Sequence, residues 1–312
     1  MMTTLLPWIE KNKQMLNFTS LSRNIMAIPY LQQNQNHICW KSLSRNPNAI
    51  HLLETNQEKI CWIRLSSNPN AIELLKKNTE KICWTNLSSN PNAIELLKEN
   101  TEKICWRELS CNPNAIEIIQ KNINKILWYH VSANINAIDF LQKNIQYIHW
   151  DELSKNPYAI TLLEKYPEKI HWSNLSSNHN AIHLIKNKQI DIDWFYFHHR
   201  LDTDRSFTES RCHLNLSKLC ANTEAIPFLE TLHLSIMDWN ELSFNKNALS
   251  LLEKNQDKID WFTLSSNPGI FICDYHFYKK HMDIHREELM KKVFHPRHLS
   301  YYLDNGYDSF DL

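Results

Sequence analysis

Apolar residues recur along the chain at an interval of 22 residues, and tryptophan marks the interval. The first eight members of this tryptophan column are Trp40, Trp62, Trp84, Trp106, Trp128, Trp150, Trp172 and Trp194. Trp239 and Trp261 repeat the interval later, and Phe18 takes the same slot one period before Trp40. A fixed period of this size is typical of a solenoid.

One unit of the pattern predicts a helix after an asparagine–proline pair. In the unit that starts at Trp84, Asn90 is a suitable N-cap and Pro91 fits the first helical position. The residues that follow give one apolar helical face, and we call this element and its equivalents the leucine helix: Ala93, Ile94, Leu96 and Leu97. Asn100 falls where this helix should end, and we expect it to adopt the left-handed conformation there.

A second short helix is predicted from Glu102 to Ser110, with Ile104, Trp106 and Leu109 on its buried face. We call this element and its equivalents the tryptophan helix. The tryptophan column is expected to lie in the core, so that Trp106→Ala should cost about 3–5 kcal/mol. A charge pair repeats before this helix, as in Glu102-Lys103, and is interpreted as N-terminal helix charge and as a contribution to solubility.

The pattern also gives domain boundaries. Residues 5–16 match a leucine helix and the turn after it, so the array begins with half a unit. Residues 195–215 lose the pattern, and the repeat stops after Pro268. The predicted fold is therefore all-α: an elongated α-solenoid of about eleven helix-turn-helix units over residues 1–268, with residues 269–312 as a C-terminal helical capping module.

Composition excludes several functions. The only glycines are Gly269 and Gly306, so the chain has neither a P-loop nor a dinucleotide-binding fingerprint. Lys plus Arg and Asp plus Glu both total 34, a balance that argues against a nucleic-acid partner. No apolar run approaches the roughly 20 residues of a membrane span, and no secretory signal is evident. We expect a cytoplasmic protein without membrane contact.

The repeating motif L-S-x-N-P-N-A-I-x-L-L-x-x-N-x-x-K-I-x-W resembles a tandem-repeat family of giant DNA viruses of the mimivirus type. The segment from His285 to Asp308 is similar to a C-terminal module that often follows such repeats. The resemblance implies a viral protein that acts in the infected cell or is packed in the virion. It implies no catalytic residue and no cofactor.

Three groups of residues could carry chemistry. A cysteine column precedes four tryptophans, but stacked helices lie about 8–10 Å apart, too far for disulfides or a shared zinc ion. Near the C-terminus the spacing C-x2-H-x4-H-x3-H fits either a zinc site or a polar capping helix. In the irregular stretch 195–215, the crowded polar residues fit a solvated loop better than a site of acid–base chemistry. We expect no enzyme, no metal and no cofactor. These groups comprise Cys39, Cys61, Cys83 and Cys105; Cys273, His276, His281 and His285; and His198, His199, Arg200, Asp202, Asp204 and Arg205.

The two positions directly after each tryptophan vary freely while the framework hardly changes. Because they occupy one place in every unit, they should form one stripe along the solenoid, the kind of extended surface that repeat proteins use for partners. The predicted partner is a protein, and the residues predicted to contact it are Arg64, Arg107, Glu108, Tyr129, His130, Asp151 and Glu152. The alternatives are a virion structural component and a nucleic-acid or metal-binding module.

Overall fold

The computed structural model describes residues 3–186 and 214–273. In these ranges the chain forms short helices that alternate between two positions in each repeat. The tryptophan helices are Phe18–Leu21, Trp40–Leu43, Trp62–Leu65, Trp84–Ser88, Trp106–Cys111, Trp128–Ala133, Trp150–Lys155, Trp172–Leu175, Leu216–Ala221, Trp239–Phe244 and Trp261–Leu264. The prediction of an all-α repeat solenoid is confirmed.

The leucine helices are equally short. They are Pro7–Lys11, Ile28–Gln33, Ile50–Glu54, Ile72–Lys76, Ile94–Glu99, Ile116–Lys121, Ile138–Gln142, Ile160–Lys165, Ile182–Lys186, Ile226–Leu229 and Leu249–Lys254. Single 3₁₀ turns connect them at Lys13–Met15, Gln35–His37, Pro47–Ala49, Gln57–Lys59, Pro69–Ala71, Thr79–Lys81, Thr101–Lys103, Ile145–Tyr147, Pro167–Lys169, His179–Ala181, Thr223–Ala225, Leu234–Ile236, Gln256–Lys258 and Pro268–Ile270. Two strands, Thr3–Leu5 and Phe271–Cys273, complete the described elements.

The two asparagines of each unit act through their side chains. Asn46 is extended, and its Oδ1 accepts from the backbone N–H of Asn48, which is the predicted N-cap. Asn100 differs from the prediction, because its φ of −130° is not left-handed. Its Nδ2 instead donates to the carbonyl of Leu96 at 2.9 Å and satisfies the end of the leucine helix.

The helix predicted from Glu102 to Ser110 is divided into two elements. Thr101–Lys103 is a 3₁₀ turn, Ile104 and Cys105 are extended, and the α-helix begins only at Trp106. The extended backbone lets the N–H of Cys105 donate to Ser88 Oγ of the preceding unit at 2.9 Å. A continuous helix would have used this N–H internally, so the bond between units explains the break.

The core consists of leucine, isoleucine and alanine columns. In the unit of Trp106, the residues Leu109, Ala115 and Ile119 are fully buried. The tryptophans are only half-buried, and they pack against the outside of this core. The expectation that they form the core itself is therefore wrong.

Two ladders of hydrogen bonds join successive units. Nδ2 of the buried Asn112 donates to the carbonyls of Ser88 and Asn90 in the preceding unit, at 3.0 and 2.9 Å. Ser110 Oγ donates to the carbonyl of Trp106 and accepts from the N–H of Leu127 in the following unit. Equivalent asparagine bonds are made by Asn24, Asn46, Asn68, Asn90, Asn134, Asn156, Asn178, Asn222, Asn245 and Asn267.

The first and last units are joined by the same bonds. Asn24 Nδ2 donates to the carbonyls of Ser265 and Asn267, and the N–H of Asn17 donates to Ser265 Oγ at 2.8 Å. Strand Thr3–Leu5 pairs antiparallel with Phe271–Cys273. The ladder thus has no free end, and the array is a closed ring.

The closing unit is shared between the two ends of the repeat array. Trp261–Leu264 is its tryptophan helix, and the N-terminal Pro7–Lys11 is its leucine helix. Trp8 and Trp261 meet edge to face with ring centroids 6.3 Å apart. The expectation of an elongated array is corrected at this point, since each end completes the other. Residues 274–312 of the predicted capping module lie outside the described residues.

The unit of Leu216 stacks directly on the unit of Trp172. The N–H of Asn215 donates to Ser176 Oγ at 2.9 Å, and Asn222 Nδ2 donates to the carbonyl of Ser176 at 3.1 Å. The units of Trp172 and Leu216 are therefore neighbours in the ring. Trp194 and residues 195–213 of the predicted irregular stretch lie outside the described residues.

Candidate functional site: the inner wall of the ring

The tryptophan helices line the inside of the ring. In a closed ring of equivalent units, the helices on the inner side lie nearer the ring axis than those on the outer side. Inner helices of successive units are therefore closer to each other than outer helices. Successive tryptophan helices contact each other extensively from Trp84–Ser88 to Trp172–Leu175 and from Leu216–Ala221 to Trp261–Leu264, whereas successive leucine helices contact each other sparsely. Helices packed about 8–10 Å apart around eleven units leave a central opening of roughly 20 Å between side chains.

Three positions after the first residue of each tryptophan helix lie toward this opening, and in the four-residue helices the last of them follows the C-cap residue. The residues three and four positions after tryptophan are buried in the core, so the helical period directs the first, second and fifth positions to the opposite side. Arg107 and Cys111, the first and fifth positions of one unit, are both exposed. We call the surface formed by these three positions in all units the inner wall.

The predicted contact residues all lie on the inner wall. Arg107 and Tyr129 are exposed, and Glu152 is buried. Arg64, Glu108, His130 and Asp151 are intermediate. The structure therefore brings the predicted stripe together on one concave surface. Sequence reasoning missed the fifth position, which the helical period places beside the first.

Glu152 is occupied by contacts within the wall. Its Oε1 accepts from Tyr129 Oη at 2.7 Å and from Lys155 Nζ at 2.6 Å. Burial raises the pKa of Glu152, but the hydrogen bonds from Lys155 and Tyr129 outweigh burial, so the pKa lies below its usual value. The same bond raises the pKa of Tyr129. Glu152 thus holds Tyr129 and Lys155 in place, and Tyr129 is the residue of this group that is exposed to a partner in the opening.

A different role emerges for the repeating charge pairs. Lys103 Nζ lies 4.6 Å from the ring centroid of Trp84, close enough for a cation–π interaction. The same arrangement joins Lys59 to Trp40 and Lys81 to Trp62. The lysine covers the half-exposed indole of the preceding unit. The expectation that the charge pair interacts with the N-terminus of the tryptophan helix is therefore wrong for its lysine.

The cysteine column is half-buried and free of disulfides. Its members Cys39, Cys61, Cys83 and Cys105 stand just before the tryptophan helices. In the described ranges, no three His, Cys, Asp or Glu side chains are grouped closely enough to hold a metal ion. Cys273 belongs to the closing strand, whereas His276, His281 and His285 lie outside the described residues, as do the polar residues 198–205.

Comparisons with protein-family models, curated proteins and solved structures found no match to this chain. Among the helices of residues 3–186 and 214–273, none is long and apolar enough to cross a membrane.

Proposed function

We propose that this chain is a non-enzymatic ring scaffold that binds a partner polypeptide through the inner wall. The observation that supports this most is the separation of the chain into a repeating framework and a variable surface. The framework residues Asn112 and Ser110 use their polar groups on neighbouring units. The variable positions after each tryptophan converge on one wall, where Arg107 and Tyr129 are exposed.

A concave wall of this kind suits recognition. It surrounds its occupant, so contacts from several units add without a large rearrangement of the ring. Tyrosine and arginine are the residues most often found as interface anchors. The bond from Tyr129 to Glu152 also fixes the tyrosine ring before binding, which lowers the entropy lost on association.

The test begins with a pull-down on the immobilised full chain, followed by purification of the captured partner. Arg107→Ala combined with Tyr129→Ala should weaken its binding by at least about 2 kcal/mol, roughly 30-fold, while helicity and melting temperature are unchanged. The matched control combines Lys77→Ala with Tyr158→Ala, two exposed residues outside the inner wall. This control should bind the partner normally.

The rival surface is the irregular stretch. Deletion of residues 198–209 should affect binding much less than the double substitution in the wall. If the wall variant binds normally and the deletion abolishes binding, the inner wall is not the site and the irregular stretch is.

A further inference from the structure

The charges of the inner wall are unevenly distributed, and we propose that one sector of it binds an acidic, partly apolar, extended polypeptide segment. We call this sector the basic arc, and it consists of Arg23, Lys41, Arg45 and Arg64. This inference rests on the proposed function, because it specifies which polypeptide the wall recognises and where.

The basic arc lies on three consecutive units. Arg23 is at the fifth position after Phe18, Lys41 and Arg45 are at the first and fifth positions after Trp40, and Arg64 is at the second position after Trp62. Arg23, Lys41 and Arg45 are exposed, and Arg64 is intermediate. Lys41 and Arg64 lie within their helices. Arg23 and Arg45 each follow a C-cap serine that keeps right-handed helical dihedrals, so the turn carries them to the same side. The four cations therefore lie on the side of the opening in three consecutive units.

None of these four cations makes an ion pair with a described residue. The inner-wall positions of the units starting at Phe18, Trp40, Trp62 and Trp84 contain no Asp or Glu. The arc is therefore a positive surface whose charge is not neutralised by its neighbours, although the whole chain has a net charge of zero.

Other cations of the inner wall already have partners. Lys155 bonds Glu152 at 2.6 Å, and Arg107 lies 4.0 Å from Glu108. Lys218 Nζ donates to Asn174 Oδ1 at 2.6 Å. Glu152 and Glu108 offset the positive charge beside Lys155 and Arg107, whereas the basic arc has no such carboxylate, so the arc is the sector best suited to attract an anionic partner.

Exposed apolar side chains flank the arc on both sides. Ile63 is 61% exposed at the position before Arg64. Across the ring closure, Phe262 and Phe244 are each 53% exposed on the two units that precede the unit of Arg23. Apolar anchors beside charged groups suit a polypeptide that alternates acidic and apolar residues.

The remainder of the wall favours a polypeptide over a nucleic acid. A nucleic acid carries a negative charge on every phosphate, and its binding depends on neutralising many of them. Glu108 and Glu241 lie on the same wall beyond the arc and would repel such a backbone in an opening of roughly 20 Å. A polypeptide can direct its carboxylates toward the arc and other residues toward these glutamates.

The inference is tested by fluorescence anisotropy on the full chain. The probe is a fluorescein-labelled peptide with the repeating sequence Glu-Leu-Glu-Ser, and the comparison probes are the same peptide with Lys for Glu and a single-stranded oligothymidine. We expect the acidic peptide to bind most tightly and to lose affinity as salt is raised. Lys41→Glu with Arg45→Glu should weaken it about tenfold or more.

The matched control is Lys77→Glu with Lys254→Glu. It makes the same change of charge at two exposed lysines, the C-cap of one leucine helix and the last residue of another, which also lack ion pairs with described residues. We expect this variant to bind the acidic peptide nearly as well as the unmodified chain. An equal loss in both variants would show a general effect of net charge and would overturn the inference.

Three further outcomes separate this inference from the proposed function. Tighter binding of oligothymidine, lost with Lys41→Glu and Arg45→Glu, would show that the arc binds nucleic acid instead. If the acidic peptide does not bind, while Arg107→Ala with Tyr129→Ala still weakens the captured partner, the arc inference fails and the proposed function stands. If neither inner-wall variant affects the captured partner, the proposed function fails.

Discussion

At the scale of the residue, the asparagine after each tryptophan helix connects the whole ring. Asn112 is fully buried, its amide donates to two carbonyls of the preceding unit, and its Oδ1 accepts from the N–H of Asn114. A buried amide is tolerated only when its donors and acceptor are all used. An aspartate side chain has no N–H to donate, and a serine side chain can donate only one hydrogen bond. This explains why asparagine recurs at this position.

Loss of this amide should weaken the ring strongly. We expect Asn112→Ala to lower the free energy of unfolding by about 3 kcal/mol, because it leaves buried polar groups of two units without partners. Asn114→Ala is the control, since the exposed Asn114 also bonds the preceding unit, at Pro91, but in contact with water. Its cost should stay below about 1 kcal/mol. Urea unfolding measures both, and equal losses would contradict the role of burial.

Cys220 occupies the place of the ladder serine in its own unit. It is fully buried, and burial raises its pKa to about 11 from the ordinary 9.0. The thiol is therefore protonated in the folded chain at neutral pH. Because the unfolded thiol ionises first as pH rises above 9.0, this residue lowers stability progressively between about pH 9 and pH 11.

The same burial should make Cys220 a reporter of ring opening. We expect a maleimide at neutral pH to label the half-buried Cys105 readily, while Cys220 reacts only when its unit unfolds. Peptide mapping by mass spectrometry identifies the labelled sites over time. Labelling of Cys220 as fast as Cys105 in the folded protein would mean that its unit opens easily.

At the scale of the element, the helices depend on one another. They are four to six residues long, below the roughly 12–15 residues at which isolated helices become marginally stable. The sequence predicted their existence, period and Asn–Pro start, because these follow from local patterns around residues such as Asn46 and Pro47. It did not predict the break before Trp106, since the bond from Cys105 to Ser88 joins residues 17 apart in sequence.

The corrected place of tryptophan changes the expected effect of its removal. Leu109 is fully buried between helices, whereas Trp106 is half-buried and covered by Lys125, whose Nζ lies 5.1 Å from its ring centroid. We expect Leu109→Ala to cost about 3–4 kcal/mol and Trp106→Ala only about 2 kcal/mol. Urea unfolding of the two variants decides the order, and a larger loss for Trp106→Ala would restore tryptophan to the core.

At the scale of the whole molecule, ring closure removes the exposed ends that a solenoid must otherwise cover. The sequence contained a signal of closure that its periodicity alone did not reveal. Residues 5–16 supply a leucine helix without a tryptophan helix, and the unit of Trp261 supplies the reverse. The two halves are complementary, but their meeting depends on a rotation of about 33° per unit, one eleventh of a turn, which no local pattern encodes.

Closure can be tested with one substitution, because Thr3 lies directly opposite Cys273 in the paired strands. Thr3→Cys should form an intramolecular disulfide under mild oxidation, since opposed antiparallel residues have Cα atoms about 4.5–5.5 Å apart, within disulfide range. The cross-link should raise the free energy of unfolding by about 2–4 kcal/mol, because it constrains nearly the whole unfolded chain. Thr4→Cys, whose opposite residue is Ile272, is the matched control and should neither cross-link nor gain stability. Intact mass and peptide mapping identify the bond, and thermal unfolding with and without reductant measures its effect. If Thr3→Cys gives only disulfides between molecules, the ends of the array do not meet in solution and the protein is an open solenoid.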